Sequence, residues 1–453
     1  MAFDDGGKDV TAGSAADRLR ELAREHSVPG AQLAVHGPQG GLSVAVGAVR
    51  AGAPAPVTPE TAFPYGSVTK AFTAAVVARL VADGDLAFDD PAVDYLAEFE
   101  GAEDERMASV TLRNLLSHTS GLIADHEPDD SANVDPARYA ASAARTGILH
   151  EPGSAFSYSN TGYVVLGRVV EAVTDMTWRQ AVERLVLNPL GIRPCFVDGG
   201  GAGGRALADC HAVRPDTGRA DPVGLYLPRS WAPAAGLAGS ADDLVAFARS
   251  LLGAGPRPAL LDPEVREALR ERVPGADPFG MADGWGLGLG HYGSPAGDWL
   301  GHDGTVDGGT AHLRFHPGNG TVVALTTNAT AGTRMWADVV DALREAGVPV
   351  GDSRPEVPPP TGAEAVPDVF GDYRNGDTAF TVRRAADRPA AGLEFTDGSG
   401  LRADLTVHDG LVFTARRTDA DEAPYLGRFV TDPASGRVTA MQLAGRAATR
   451  VPA

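Results

Sequence analysis

Apolar positions at helical spacing in "AADRLRELAREH" predict an opening helix. "GAQLAVHG" and "GLSVAVGAV" then alternate on either side of "PQGG", the pattern of a β-hairpin. From Ser67 to about Asp83 the chain turns apolar on nearly every side, which predicts a second, more deeply buried helix. A mostly helical middle follows to about Leu252, including "FSYSNTGYVVLGRVVEAVT" and "SADDLVAFARSLL". Strand signals return with "GWGLGLGHYG", and "TAHLRFHPGNGTVVALTTNA" reads as two alternating strands around a Gly-Asn-Gly turn. "WADVVDALREAG" closes the series as a helix. Helix, hairpin, helical insert, strands, helix: this order implies an α+β architecture, an antiparallel sheet flanked by helices, over residues 1–350.

Residues 351–368, "GDSRPEVPPPTGAEAVPD", read as a proline-rich linker. Past it, residues 369–453 hold short alternating runs such as "AFTVRR", "ADLTVHDGLVFTARR" and "RVTAMQLAG", separated by Asp-Gly and Ser-Gly turns. So many short strands in so few residues fit a small closed β-barrel.

Composition narrows the partners. The 453 residues carry a formal net charge of -20, which repels nucleic acid and anionic membrane alike. The amino terminus has acids where a signal peptide carries positive charge, and no apolar stretch follows, so a cytoplasmic protein is expected. Cys195 and Cys210 stand in no metal-ligand spacing and read as ordinary small apolar residues. Neither a metal nor an organic cofactor is implied.

One cation stands out. Nearly every basic residue is arginine, and Lys8 and Lys70 are the only lysines. Arginine stays protonated, whereas a desolvated lysine can surrender its proton and serve as a base. Lys70 follows Ser67 by three residues, one helical turn, so amine and hydroxyl can meet at the start of the buried helix. That helix end also offers unpaired N–H groups suited to an oxyanion. A Ser-x-x-Lys pair alone decides nothing, because such pairs arise by chance. Two further stretches supply partners. In "FSYSNTGY", Tyr158 could shuttle protons if the neighbouring cation eased its ionisation, and Asn160 could grip a substrate amide. In "LGHDGTVDGG", Gly304 would let a strand edge approach an acyl group, and the Thr305 N–H would join that of Ser67 in an oxyanion hole. Singly, Tyr158, Asn160 and His302 read as a core aromatic, a helix cap and a satisfied histidine.

Jointly, in this order, the three pieces resemble the serine hydrolases built like class C β-lactamases and penicillin-binding proteins, with Ser-x-x-Lys, Tyr-x-Asn and then Lys-Thr-Gly or His-x-Gly. "VTLRNLLSHTSGL" (Val110 to Leu122) and "PAAGLAGSADDLVAFARSLL" (Pro233 to Leu252) look like the same family, and the likeness spans roughly Ala15 to Gly347. It implies that Ser67 is the nucleophile, Lys70 its base, Tyr158 the shuttle and Asn160 the amide holder, with His118 structural. His302 stands where the Lys-Thr-Gly version has lysine, which removes the cation that grips the penicillin carboxylate. Length, the absence of an export signal and the second domain make the chain similar to the penicillin-binding-protein-type thioesterases, with a lipocalin-like barrel. That branch implies head-to-tail closure of nonribosomal peptidyl thioesters, transient contact with a synthetase carrier protein, and joining of a D-configured carboxyl end to an L-configured amine. Hydrolysis of D-amino-acid amides, peptides or esters is the alternative, and a ligand-sensing binding protein a third class. Trp231 as a wall of the acyl pocket, Gly236 as a close-approach position and Arg446 reaching back from the barrel complete the candidates. Each has a plain reading too: a packing aromatic, a turn and a surface arginine.

Overall fold

The computed structural model describes residues 12–38, 40–128, 134–197, 205–255, 259–361, 368–385, 392–398, 400–418 and 424–452. Most of the acidic amino-terminal segment, Lys8 included, and residues 362–367 of the linker lie outside them.

Helix α1 (Ala12–Glu25) precedes the hairpin β1 (Gly30–Gly37) and β2 (Gly40–Gly47). A short strand β3 (Phe63–Pro64) leads through a 3-10 turn (Gly66–Val68) into α2 (Thr69–Asp83). The insert carries α3 (Leu112–Leu116), α4 (Pro136–Ala143), α5 (Asn160–Thr174) and α6 (Trp178–Val182). It returns through β4 (Cys210–Val213), β5 (Ala220–Val223), α7 (Ala232–Ala235), β6 (Ala238–Gly239), α8 (Ala241–Leu251) and α9 (Pro263–Arg270). Strands β7 (Gly284–Trp285), β8 (Gly290–Tyr292), β9 (Trp299–Val306), β10 (Gly309–Phe315) and β11 (Val322–Thr327) follow, and α10 (Gly332–Glu345) ends the run.

Among the described residues seven strands form one sheet in the order β2-β1-β11-β10-β9-β8-β7. Every pairing in it is antiparallel. The interior strand β11, "VVALTT", is buried at every position because helices cover both faces. On one side lie α1 and α10, packed through Leu19, Leu22, Met335 and Trp336. On the other lie α2, α5 and α8. Helix α2 is buried on almost all sides, as its run of Ala, Val and Phe requires, and Gly84 in the left-handed conformation (φ 83°) ends it.

Strand β8 covers β9 only at Trp299–Gly301. The remainder of β9, His302 to Val306, is therefore an open edge, and it lies against the 3-10 turn that starts α2. This edge-to-helix seam holds the candidate site.

Strands β12 (Gly371–Asn375), β13 (Thr378–Arg384), β14 (Leu393–Asp397), β15 (Arg402–Val407), β16 (Val412–Arg417), β17 (Tyr425–Thr431), β18 (Val438–Leu443) and β19 (Arg446–Arg450) close a barrel in chain order. Alternation drives it: along β15, Ala403, Leu405 and Val407 point in while Arg402 and Thr406 face water. Tyr373, Phe395, Phe413, Phe429 and Met441 fill the interior. Among the described residues no helix is long and apolar enough to cross a membrane.

Candidate active site

Ser67 sits inside the 3-10 turn and Lys70 one turn later in α2, the placement their spacing predicts. The Lys70 Nζ stands 3.1 Å from the Ser67 Oγ and donates to the Ala234 carbonyl at 2.9 Å. Lys70 has no exposed surface. Burial is the main reason its pKa falls well below the usual lysine value, and the Arg446 cation adds to the fall while Asp125 opposes it. The amine is therefore held ready to lose its proton. It lies 5.0 Å from the centre of the Tyr158 ring and 5.6 Å from that of Tyr163.

Tyr158 reaches the site from the extended stretch before α5, which begins where the Ser159 Oγ accepts from the Gly162 N–H. Its ionisation runs against the expectation. Burial pushes the phenol well above its ordinary range, only partly opposed by the approach to Ser67 and by Arg446. At rest Tyr158 is a neutral phenol, able to donate a proton rather than to take one.

His302 and Gly304 share one face of β9, and Asp303 points to the other. The His302 Nδ1 lies 2.6 Å from the Asp303 carbonyl, which can only accept, so the ring proton sits on Nδ1. Burial lowers the His302 pKa to about 3, with the Lys70 cation adding to it, so this position carries no fixed charge near neutrality. Asp303 anchors the strand from behind. It accepts from the His312 Nδ1 at 2.7 Å and from both terminal nitrogens of the fully buried Arg314, at 2.9 and 2.8 Å. The Arg314 guanidinium in turn lies 3.4 Å over the Tyr292 ring.

Gly304 sits where β9 meets the nucleophile turn. A side chain there would meet the Tyr65 carbonyl at 2.0 Å and the Ser67 nitrogen at 3.0 Å. The close approach seen here is between β9 and the nucleophile turn of the same chain. Gly66, at φ 52°, reciprocates: a Cβ on it would meet the Thr305 backbone at 2.5 Å. These two glycines bring the Thr305 backbone beside that of Ser67, as an oxyanion pair requires.

Asn160, expected to face substrate, has its amide tied to the Asp125 carboxylate at 2.6 Å. Asp125 also faces Arg446, whose Nε lies 3.6 Å away, and the Arg446 guanidinium sits 5.4 Å from the Tyr158 ring centre. Arg446 thus reaches the site from β19, as expected, and Asp125 is the residue that sequence reading missed. It follows the "HTSGL" segment without any periodic signal of its own. Gly236 lies two residues past Ala234, the acceptor of the Lys70 amine. It ends α7, and a side chain on it would strike Ala232 of the same turn, so its closeness serves the helix. Trp231 is half-buried against the helical core, the packing role read for it as the plain alternative. Cys195 and Cys210 are both buried. Among the described residues no group of three or more His, Cys, Asp or Glu side chains is placed to hold a metal ion.

The barrel closes over this site through backbone bonds. The Tyr158 N–H donates to the Gly445 carbonyl at 2.9 Å, and the Ala124 N–H to the Asn375 Oδ1 at 2.7 Å. The Ala447 N–H donates to the Ser157 Oγ at 3.2 Å.

Comparison with known proteins agrees with this geometry. The family model described as Beta-lactamase matches residues 15–347. Penicillin-binding protein 4 of Amycolatopsis lactamdurans is 35% identical over 339 residues, 72% of this chain and 88% of that protein. A crystal structure of SurE superposes with a TM-score of 0.85 at 40% identity, covering 97% of this chain and 99% of SurE. A second structure, of SurE with D-Leu, superposes with a TM-score of 0.83 at 39% identity over the same shares.

Proposed function

Since the chain belongs to the β-lactamase family of serine acyl-transfer enzymes, we propose that it is a stand-alone thioesterase that captures a peptidyl thioester on Ser67 and releases it as a head-to-tail macrocycle. The observation that carries the acyl-transfer step is the Lys70 amine, buried, depressed in pKa and 3.1 Å from the Ser67 hydroxyl. The likeness to SurE over nearly the full length of both chains, barrel included, supports the finer reading. The structure of SurE with D-Leu supports a D-configured residue at the acyl end.

In the first half of the reaction Lys70 takes the Ser67 proton as the Oγ attacks the thioester carbonyl. The oxyanion is met by the Ser67 and Thr305 N–H groups. As the C–S bond breaks, the Tyr158 phenol gives its proton to the leaving sulfur, and the Lys70 ammonium restores it. In the second half the amino end of the same peptide attacks the ester. As the C–N bond forms, the Tyr158 hydroxyl takes the amine proton while passing its own to neutral Lys70, and the Lys70 ammonium then protonates the Ser67 Oγ as the C–O bond breaks, which regenerates the hydroxyl and the neutral amine. An amine held near the ester gains an effective molarity on the order of 10⁵ M or more, enough to outrun water. Arg446 and Asp125 form a charged pair at the lip where the peptide enters, and Asn160, oriented by Asp125, meets the acyl amide. The donor is a peptidyl thioester presented by a synthetase carrier protein.

The test offers linear peptidyl thioester mimics ending in a D-residue and scores cyclic product against free acid by mass. Cyclic product, lost in Ser67→Ala, is expected. Free acid as the main product across varied peptides would replace this reading with that of a hydrolase.

A further inference from the structure

Tyr158 lies in an extended stretch outside any sheet, yet the backbone N–H of Ser157, Tyr158 and Ser159 all have partners. Two of the three go to a single residue. The Ser157 N–H donates to the His118 carbonyl at 2.8 Å, and the Ser159 N–H donates to the His118 Nδ1 at 3.1 Å. Between them the Tyr158 N–H points the other way, to Gly445 in the turn between β18 and β19 of the barrel. The His118 ring also lies 4.2 Å from the Tyr158 ring, centre to centre.

Both ends of this clamp adopt backbone conformations unusual for an ordinary side chain. His118 has φ 57°, left-handed for a residue that carries a Cβ. Gly445 has φ 73°, and a Cβ there would meet the Met281 sulfur at 2.1 Å. Because the Nδ1 accepts, the ring proton of His118 is on Nε2, and burial keeps the imidazole neutral, the neighbouring Lys70 cation acting in the same sense. His118 touches neither Ser67 nor Lys70 by any hydrogen bond described above. Its two bonds to this stretch flank Tyr158, and its ring packs on Tyr158 as well as on Phe156, Tyr163 and Trp285.

We infer that His118 and the Gly445 turn of the barrel are positioning residues for Tyr158, fixing its hydroxyl from opposite sides in the orientation that reaches the leaving atom. This rests on the reading of Tyr158 as the proton donor. A small tilt of the backbone at Tyr158 is amplified at the far end of the ring, and proton transfer tolerates little: donor and acceptor must come within about 2.6–3.2 Å. The barrel is then part of the chemical apparatus as well as a cover.

The test exploits the leaving group. One acyl group is offered to the full chain as an alkyl ester, whose alkoxide must be protonated, and as a p-nitrophenyl ester, whose anion leaves unaided. His118→Gly removes the ring acceptor while tolerating the left-handed backbone, and Gly445→Ala displaces the turn. Either variant is expected to lose about 10²-fold in kcat/KM, which reports the acylation half alone, on the alkyl ester and less than about threefold on the activated one. His118→Asn places an amide oxygen where Nδ1 stood, in a residue that accepts φ above zero, and should recover most of the alkyl-ester rate. Ser157→Ala, which cuts only the Ala447 bond, should show the same selectivity more weakly and serves if the others misfold. Equal loss on both esters, or no loss on either, overturns the inference. Turnover of the activated ester that survives Ser67→Ala would instead overturn the acyl-enzyme reading beneath it, and the positioning role with it.

Discussion

Lys70 is basic in an unusual direction, since burial and the Arg446 charge both make its proton easier to lose. Neutral amine increases with pH, so the acylation rate is expected to climb through the depressed Lys70 pKa and then level off. His302, near 3, adds no break above about pH 5. The same shift bears on folding. The unfolded chain binds a proton at Lys70 that the folded chain refuses, so this group's contribution to stability grows as pH rises between the folded and unfolded values. Lys70→Arg keeps the charge but cannot act as a base, and kcat/KM should fall by about 10³-fold or more. Intact mass would then show no acyl adduct from a thioester substrate; an unchanged rate would mean the amine supplies charge alone. Ser67, Lys70, Tyr158 and His302 were legible because each belongs to a short motif whose spacing has a physical meaning. Asp125 and the clamp formed by His118 were not. Both are loop residues, and their partners come from segments distant in the chain, the barrel among them. The direction of the Tyr158 shift was misjudged for a related reason: sequence shows the nearby cation but not the depth of burial that outweighs it.

Strand β9 divides its duties by alternation. The face with His302 and Gly304 meets the nucleophile turn, and the face with Asp303 meets Arg314 and His312. Position along the open edge is therefore set by an ion pair between the half-exposed Asp303 and the buried Arg314 on the opposite side of the sheet. Asp303→Asn would leave the Arg314 guanidinium with Asp352, at 3.3 Å, as its remaining acidic partner. Loss of one member of a fully buried pair costs about 3–5 kcal/mol; solvent at Asp303 and the retained partner place the cost below that range. Urea unfolding should register the loss in the midpoint, and acyl transfer should weaken with it as Thr305 shifts from Ser67. A variant as stable as the parent would show that the pair is not what holds β9. The hairpin β1–β2, helices α1 and α2 and the strands β10 and β11 were readable as elements because their periodicity is strong over many residues. That only half of β9 is an open edge was not readable, since it depends on how far β8 extends.

In the whole molecule, a helical lobe, a sheet edge and a barrel turn meet around one serine, and the aromatic cost of that closure is measurable. Tyr65, Tyr139, Tyr158, Tyr163 and Tyr292 are all buried, and burial raises the pKa of each. Above about pH 10 the unfolded chain releases their protons while the folded chain retains them, so stability must fall as pH rises there. Lys70 acts in the opposite sense but is a single group. The urea midpoint should drop between about pH 10 and pH 11.5, and a flat profile there would mean these phenols reach solvent. The scarcity of lysine carries a last consequence. An enzyme handling activated acyl groups risks having its own surface amines capture them by aminolysis, as any reactive ester modifies a lysine-rich protein. Here all 39 Lys and Arg side chains except Lys8 and the enclosed Lys70 are guanidinium groups, poor traps for an acyl group. The described exterior offers no side-chain amine to waste its substrate on.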